Sequence, residues 1–217
     1  MKFQMFLTAS AVAALSGSAH AYLRITEVMS SSGTGGTSDW FEVTNYGTSA
    51  VDITGFRMDD NSFSFASSVL LNGVSSVAAG ESVVFFENTA TTADINAFKA
   101  FWGGISAVQV GYYNGSGAGV SFSSGGDGAV VFDAVGTQVT QQAIFGAATT
   151  GSSFYFNLPP ANTGVVSVVG TIDTQVTFAT AGSPVNTGSL GTAIGIPAPG
   201  ALALLGVAGM VSGRRRR

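Results

Sequence analysis

The stretch WFEVT at residues 40–44, near the start of the chain, decides the fold, because apolar and polar side chains alternate along it. Such alternation is typical of a strand with one buried and one exposed face. Asn45, Tyr46 and Gly47 follow and end the strand with a turn. LRITEV at residues 23–28 alternates in the same way. The sequence therefore predicts two half-buried strands, joined by a glycine-containing loop at residues 33–38.

Short β-rich runs broken by Gly, Ser, Asn and Asp continue along the chain. Residues 50–58 place Val51 and Ile53 on one face of a strand, and Gly55 predicts a bulge or bend before residues 56–58. VVFF at residues 83–86 is a continuous apolar run, which is typical of a central strand. Further strands are predicted at residues 129–133, 137–140 (with a turn between these two), 153–157, 165–169 and 175–179.

One helix is predicted at residues 92–102. Thr92 is its expected cap, and apolar side chains follow at a spacing of three to four residues until Gly103 and Gly104 stop it. We interpret Phe98 and Trp102 as a core lid over an open end of the sheet. The alternative is an exposed platform on which a ligand stacks.

Many short strands, frequent turns and a single helix together indicate an all-β fold, a β-sandwich or barrel. The chain of 217 residues contains no cysteine, so its stability must come from apolar burial rather than disulfides. The side chains expected to fill the interior are Phe41, Phe56, Phe85, Val131 and Phe132.

The first 21 residues are organised like a secretory signal peptide. Lys2 gives a positive start, and residues 6–15 form an apolar run too short to span a bilayer. Ala19 and Ala21 are the small residues that a signal peptidase accepts at the cleavage site. The alternative is a buried N-terminal helix. We predict that residues 1–21 are removed and that the mature domain begins at residue 22.

The C-terminal segment, residues 196–217, has the organisation of a membrane-sorting tail. Pro197 and Pro199 stand before an uncharged run at residues 200–213, and the chain ends in four arginines, Arg214, Arg215, Arg216 and Arg217. A helix over the run would be slightly shorter than the hydrocarbon core of a bilayer. The arginines would stay on the cytoplasmic side, and the prolines would leave an extended segment at the outer face.

This order of Pro-x-Pro, apolar helix and arginine cluster resembles the PEP-CTERM sorting signal of Gram-negative bacteria, with Ala198 where the family has Glu. The resemblance implies transient anchoring in the inner membrane. It also implies cleavage by an exosortase-type protease near Pro197 and Pro199, and delivery to the outer surface or extracellular matrix. The alternative is a plain C-terminal membrane anchor.

Removal of both ends would leave a strongly acidic protein. Arg24, Arg57 and Lys99 would be the three basic residues set against all 12 acidic residues, for a net charge of −9. Such a charge disfavours nucleic acid and anionic lipid as partners and favours divalent cations. The single histidine, His20, lies in the predicted signal peptide, so zinc sites built on Cys or His, Cys nucleophiles and Ser-His-Asp triads are excluded from the mature protein.

Carboxylates are therefore the remaining candidates for chemistry. Glu27 and Glu42 lie on predicted strands, and a carboxylate pair is the one route to acid–base hydrolysis that this composition leaves. No flanking pattern supports that route, so we predict no catalytic residues. SGTGGT at residues 32–37 lacks the lysine and the strand-to-helix context of a phosphate loop, and no cofactor is predicted.

A second acidic group follows the strand at residues 50–58. Asp59, Asp60 and Asn61 are candidate Ca2+ ligands, because Ca2+ takes six to eight oxygen ligands. We favour the alternative, an Asx-type turn in which these side chains bond their own backbone. Asp127 and Asp133 are interpreted in the same way, as turn and strand-end residues first.

The order of these segments resembles the lamin-tail domain, an immunoglobulin-like β-sandwich, here with one short helical insertion. The resemblance covers about residues 22–186, followed by a flexible spacer at 187–195. The matching pieces are ITEVM (25–29), DWFEVTN (39–45), VDITGF (51–56), AGESVVF (79–85), GDGAVVFD (126–133) and the closing AGSPVN (181–186).

These features predict an exported, non-enzymatic structural or interaction protein of the outer envelope or matrix. Its expected processing partners are signal peptidase and an exosortase-type protease, and its expected ligands are exopolysaccharide or other surface proteins. The alternative is a Ca2+-dependent carbohydrate-binding protein, or a secreted hydrolase, that uses acidic loop residues.

Overall fold

The computed structural model describes residues 22–33, 37–89, 91–157, 163–167, 178–179, 186–193 and 195. In chain order the elements are β1 (Leu23–Met29), β2 (Trp40–Asn45), β3 (Val51–Asp52), β4 (Arg57–Asp59), β5 (Val69–Asn72), β6 (Ser76–Val77), β7 (Ser82–Glu87), α1 (Thr92–Trp102), β8 (Gln109–Tyr113), β9 (Asp127–Phe132), β10 (Ala143–Phe145), β11 (Phe154–Tyr155), β12 (Val165–Val166), β13 (Phe178–Ala179) and β14 (Thr187–Gly188).

Most of these strands form one continuous hydrogen-bonded ladder in the order β10-β9-β4-β5-β8-β7-β2-β1-β11-β12. Its strands pair antiparallel except for β7 and β8, which run parallel. The two ends of the order meet, because Gly164, just before β12, donates its N–H to the Ile144 carbonyl of β10 at 2.7 Å. The ladder thus closes around its interior, and the predicted all-β sandwich with one helix is confirmed.

The main core fills the interior between the two halves of the ladder. Phe41 of β2 is its centre: its ring lies 5.6 Å from the rings of both Phe85 and Tyr113. All three side chains are fully buried, as is Ile25 of β1. Fully burying a side chain of this size contributes roughly 1.5–3 kcal/mol to folding, so these aromatic residues stabilise a domain that has no disulfide.

A second apolar cluster covers the opposite face of β2 and β7. Phe98 of α1 stacks on Phe86 at 4.8 Å between ring centroids, and Trp102 meets Trp40 edge to face at 5.4 Å. The interpretation of Phe98 and Trp102 as a core lid is confirmed, although α1 covers the outer face of the sheet rather than its end. As a result, every residue of β2 is buried, whichever face it points to.

The N-cap of the helix lies one residue before the predicted cap. Thr91, not Thr92, is the N-cap: its hydroxyl accepts from the Asp94 N–H, and the Asp94 carboxylate accepts from the Thr91 N–H at 2.7 Å. This is a capping box, which satisfies two backbone donors at once. The stop at Gly103 is as predicted, with φ at 55°.

Two expectations for the β9 region differ from the structure. Val131 points into the main core, but its neighbour Phe132 points outward by strand alternation and packs edge to face on Phe65 at 5.8 Å. Residues 137–140 form no strand; they contribute one isolated bridge, between Gln138 and Phe132. The side chain of Thr140 explains this, because its hydroxyl, rather than a backbone carbonyl, accepts the Val131 N–H at 2.9 Å.

The parallel contact between β7 and β8 depends on Gly111, which lies directly opposite Phe85. A Cβ atom at this position would come within 2.6 Å of the Phe85 ring and nearer still to the Asn72 carbonyl. We expect Gly111→Ala to lower the free energy of unfolding by about 1–3 kcal/mol in urea denaturation, through overpacking. Gly146→Ala is the matched control, because its Cβ would meet no atom within 4 Å. Equal effects of the two changes would contradict this account of the contact.

Candidate functional site

Two glutamates meet on the face of β1 and β2 that points away from the main core. Glu27 and Glu42 lie directly opposite each other, and the register of the strands shifts between Ile25 and Glu27. A bulge of this kind sets two consecutive residues against one residue of the partner strand. Thr26 and Glu27 therefore both lie beside Glu42, and the Thr26 hydroxyl is 2.5 Å from Glu42 Oε1. We call Glu27 and Glu42 the carboxylate pair.

Glu27 is held by donors from two distant parts of the chain. The Ser153 hydroxyl lies 2.5 Å from Glu27 Oε1. The backbone N–H of Ser189 lies 2.8 Å from Oε1 and 3.0 Å from Oε2, and the Ser189 hydroxyl donates to Oε2 at 2.9 Å. The side chain of Glu27 is 1% exposed, so these internal groups take the place of water around it.

Glu42 is fully buried, and one of its three donors is distant. Besides the Thr26 hydroxyl, Oε1 has a long 3.5 Å contact with the Thr44 hydroxyl. The backbone N–H of Gly191 donates to Oε2 at 2.5 Å. Both carboxylates are thus tied to the same short segment of chain near residue 190.

That segment, residues 186–193, lies on the sheet; we call it the strap. Asn186 accepts the Gly33 N–H on its side-chain oxygen at 2.7 Å, and Thr187 exchanges backbone hydrogen bonds with residues 151 and 153. Leu190, at 1% exposure, joins the cluster formed by Trp40 and α1. The sequence predicted a flexible spacer from residue 187. The structure instead packs residues 187–193 on the sheet, because the carboxylate pair and the outer apolar cluster give this segment partners.

The electrostatics of the pair follow from its burial. Burial raises the pKa of Glu27 from 4.5 to about 7. Burial also raises the pKa of Glu42 from 4.5 to about 8, and the charge of Glu27 adds to this shift. The hydrogen bonds from the serine, threonine and backbone donors act in the opposite direction on both groups. Removal from water is the largest cause, so the site favours neutral carboxyl groups.

The model of the Lamin Tail Domain family matches residues 16–145, which is more than half of the chain. The chain belongs to the lamin tail domain family. No curated protein matches it. The family match ends with β10, so the strands β11 to β14 and the strap lie beyond the part of this lamin tail domain that the family model covers.

The acidic loop of the lamin tail domain is organised as a turn. Asp59 Oδ2 accepts from the Ser62 hydroxyl at 2.6 Å and from the Ser64 N–H at 2.7 Å, and Asp60 accepts from the Ser62 N–H at 3.3 Å. Asn61 uses its backbone N–H to reach Asp127 at 3.1 Å. The other oxygen of Asp59, Oδ1, is buried without a hydrogen-bond partner.

These contacts fit the Asx-type turn better than a Ca2+ site. Asp127 and Asp133 act in the same way: Asp127 Oδ2 accepts from the Ser123 N–H at 2.6 Å, and Asp133 accepts from the Thr137 N–H at 2.8 Å. Within the described part of the chain, no group of three or more His, Cys, Asp or Glu side chains is placed to hold a metal ion.

A shallow cleft lies between α1 and the end of β7, with a volume of about 270 Å3. The rings of Phe86, Phe98 and Phe101 form its apolar floor, and the polar residues Asn88 and Asp94 stand at its rim together with Thr37 and Ser38. An aromatic floor with a polar rim is the usual chemistry of a small-ligand site. The cleft is separate from the carboxylate pair.

The predicted processing residues lie outside the described residues. These are Ala19, Ala21, Pro197, Pro199 and Arg214, Arg215, Arg216 and Arg217. Among the residues that are described, no helix is long and apolar enough to cross a membrane.

Sequence reasoning named both members of the carboxylate pair but missed what surrounds them. Ser153, Ser189 and Gly191 carry no recognisable pattern, because serine and glycine are common throughout this chain. The one available signal was the position of two glutamates on neighbouring strands beside Thr26 and Thr44. That signal does not reveal which distant segment covers the strands.

The packing of the strap is tested by truncating its central side chain. We expect Leu190→Ala to lower the free energy of unfolding by about 2–4 kcal/mol, because it removes a buried side chain from the outer cluster. Leu70→Ala is the matched control, since Leu70 is 46% exposed, and we expect it to cost less than about 1 kcal/mol. Chemical denaturation of the domain measures both. A Leu190→Ala variant as stable as the parent would mean that residues 187–193 are a spacer after all.

Proposed function

We propose that this chain is an exported, non-enzymatic interaction domain of the cell surface or extracellular matrix. It is delivered by a signal peptide at residues 1–21 and sorted by an exosortase-type system that acts on residues 196–217. Its partners are exopolysaccharide or other surface proteins, which it meets through the faces and loops of the lamin tail domain.

The observation that carries the non-enzymatic part of this proposal is the burial of the carboxylate pair. A general acid or base must come within hydrogen-bonding distance of its substrate. Glu27 and Glu42 are at most 1% exposed and lie under the strap, whose backbone N–H groups occupy their oxygens. Their contacts favour a role inside the domain over contact with a substrate.

Export is supported by the two ends of the sequence. The apolar run before Ala19 and Ala21 has the length of a signal peptide, and Pro197 and Pro199 precede an uncharged run and four arginines. The absence of cysteine means that the domain needs no disulfide to form in an oxidising compartment. The acidic surface that remains after both cuts disfavours anionic partners.

The cleft beside α1 is the part of the surface best suited to a small carbohydrate unit. Of its three rings, that of Phe101 is partly exposed while Phe86 and Phe98 are buried against each other, and the rim residues Asn88 and Asp94 offer hydrogen-bonding groups to a sugar. The cleft is shallow, so this binding would be weak at a single site, and many copies in a matrix would add avidity.

Processing at the tail is tested by mass. Expressed in a Gram-negative host that contains an exosortase, the mature protein should lack residues 1–21 and everything beyond about Pro199, because both segments match protease-accessible signals. Intact-mass measurement of the surface or matrix fraction decides the point.

Replacement of Pro197 and Pro199 by alanine is the matched control for that measurement. It should block release at the tail while N-terminal cleavage continues. A surface protein that retains Arg217 would reject tail processing and favour the plain membrane anchor. A protein that keeps residues 1–21 in the cytosol would reject export altogether.

One observation favours the Ca2+-dependent carbohydrate-binding alternative: the unpartnered, buried Asp59 Oδ1. Since the other acidic oxygens of the loop already accept turn hydrogen bonds, we expect millimolar Ca2+ to leave the melting temperature of the mature domain unchanged. A Ca2+-dependent rise that disappears when Asp59 and Asp60 are both changed to Ala would establish the alternative. The quantity to compare is the change in melting temperature when Ca2+ is added, because replacing Asp59 also removes turn contacts and lowers the melting temperature without Ca2+.

A further inference from the structure

We propose that Glu27 and Glu42 form a proton-binding site that holds one proton between them at neutral pH, and that this proton keeps the strap docked on the sheet. The inference concerns a role of the pair inside the domain. It goes beyond the proposed export function and does not depend on it.

The backbone donors fix which oxygens act as acceptors. The backbone N–H groups of Ser189 and Gly191 can donate hydrogen bonds but cannot accept them. Ser189 donates to both oxygens of Glu27, at 2.8 and 3.0 Å, and Gly191 donates to Glu42 Oε2. Glu27 therefore has no oxygen left without an N–H donor, whereas Glu42 Oε1 faces only hydroxyl groups.

Those hydroxyl groups form a chain whose direction can reverse. From Glu42 Oε1 it runs to Thr26 Oγ1 at 2.5 Å, to Thr44 Oγ1 at 2.8 Å and to Ser82 Oγ at 2.6 Å. Each hydroxyl has one hydrogen and can also accept. A protonated Glu42 can thus donate to Thr26, with Thr26 donating to Thr44 and Thr44 to Ser82, so each of the three hydroxyls keeps a partner.

The surroundings of Glu27 suit the charged form. The Ser153 hydroxyl lies 2.5 Å from Glu27 Oε1 and 2.8 Å from the Ser167 hydroxyl. Its single hydrogen can be donated to one of these two oxygens at a time. The geometry makes Ser153 the donor in both contacts, so further support for a charged Glu27 comes from the N–H of Ser189, which reaches both of its oxygens. The hydroxyl of Ser189 adds a further donor to Glu27. The geometry thus assigns the charge to Glu27 and the proton to Glu42 Oε1.

Among the residues that the structure describes, the other elements packed around the pair bring few titratable groups. Arg24 lies on β1, Tyr46 follows β2, and Tyr155 of β11 is opposite Glu27 in the ladder. Arg24 donates to Tyr22 Oη at 3.1 Å and to the Asn157 carbonyl at 3.3 Å. Burial raises the pKa of Tyr46 to about 12, so its phenol stays neutral throughout the relevant range. The strap contacts the pair through the hydroxyl of Ser189, and the hydroxyls of Ser82 on β7 and Ser167 after β12 lie one hydrogen bond further away.

The strap is directly responsible for part of the burial. A Cβ atom on Gly188 would lie 2.9 Å from Glu27 Oε1 and 3.3 Å from the Trp40 ring, so the strap backbone sits against the carboxylate. Burial is the largest cause of the raised pKa values, and it outweighs the hydrogen bonds that favour charge. Loss of the proton must therefore favour any state in which the pair is less buried, and undocking of the strap is such a state.

The sign of the pH dependence follows from linkage. The docked form binds protons more tightly than the undocked or unfolded form, whose glutamates have ordinary pKa values near 4.5. The stabilisation is fully present below about pH 4.5 and is lost as the pH rises through about 7 and 8. Two like charges then face each other on adjacent strands under the strap.

The chain allows a direct test, because it contains only four glutamates, at positions 27, 42, 81 and 87. In the mature domain labelled with 13C at glutamate, we expect one carboxyl resonance to remain protonated above pH 7. Amide hydrogen exchange, corrected for intrinsic rates, should show the protection of Ser189 and Gly191 falling about tenfold or more between pH 6 and pH 9, since each unit of pKa difference is worth a factor of ten per proton.

Glu42→Gln is the decisive variant and Glu81→Gln the matched control. The neutral amide imitates protonated Glu42, so the variant should keep Ser189 and Gly191 protected at pH 9, whereas Glu81→Gln should behave like the parent. A purely structural role for Glu42 would instead lower protection equally at both pH values. The proposal is overturned if all four glutamates titrate below pH 5, or if strap protection in the parent is the same at pH 6 and pH 9. Both of these readouts use the unchanged domain and stand even if Glu42→Gln fails to fold.

Discussion

Burial of both faces of β2 is the constraint on which the rest of the structure depends. One face, with Phe41 and Val43, closes the main core, and the other face carries Trp40, Glu42 and Thr44. A strand in this position cannot leave a carboxylate to water, and an isolated buried charge is costly. The bulge at Thr26, the opposed Glu27 and the docked strap all supply polar partners to that second face.

The composition of the chain explains how those partners are provided. With charged residues at 9%, the domain has few cations to pair with buried acids, and it uses hydroxyl and backbone N–H groups around the pair instead. A hydroxyl both donates and accepts, so the chain from Thr26 through Thr44 to Ser82 accommodates either protonation state of Glu42. An arginine in the same place would fix the charged form. The hydroxyl-lined site thus leaves the proton exchangeable.

Local patterns predicted the parts of the fold that local physics determines. Alternation placed β1 and β2, the apolar run placed β7, and apolar spacing with terminal glycines placed α1 to within a residue of its cap. Gly55 adopts a φ of 79°, in keeping with the predicted bend. The same alternation also predicted that β1 and β2 are half-buried, each with one exposed face. That inference is wrong because alternation reports two faces, and says nothing about whether a distant segment covers the second one.

The strap shows why such coverage escapes the sequence. Its contacts with Glu27 and Glu42 span 162 and 149 residues of chain, and they are made largely by backbone N–H groups, which every residue except proline possesses. TGSLG at residues 187–191 is rich in the small residues that also make flexible linkers. Composition alone therefore favours a spacer, and only the carboxylates on the sheet distinguish a docked segment from a free one.

If the tail is anchored as proposed, docking of the strap limits how far the domain can stand from that anchor. Between Ala193 and Pro197 a fully extended chain reaches at most about 14 Å. Undocking residues 186–193 would add up to about 28 Å more. If the tail is anchored in a membrane as proposed, the docked strap keeps the folded domain close to the bilayer, and its release gives a protease room around the prolines. A proton on Glu42 and access to the tail would then be linked through the same eight residues, although each can be measured without the other.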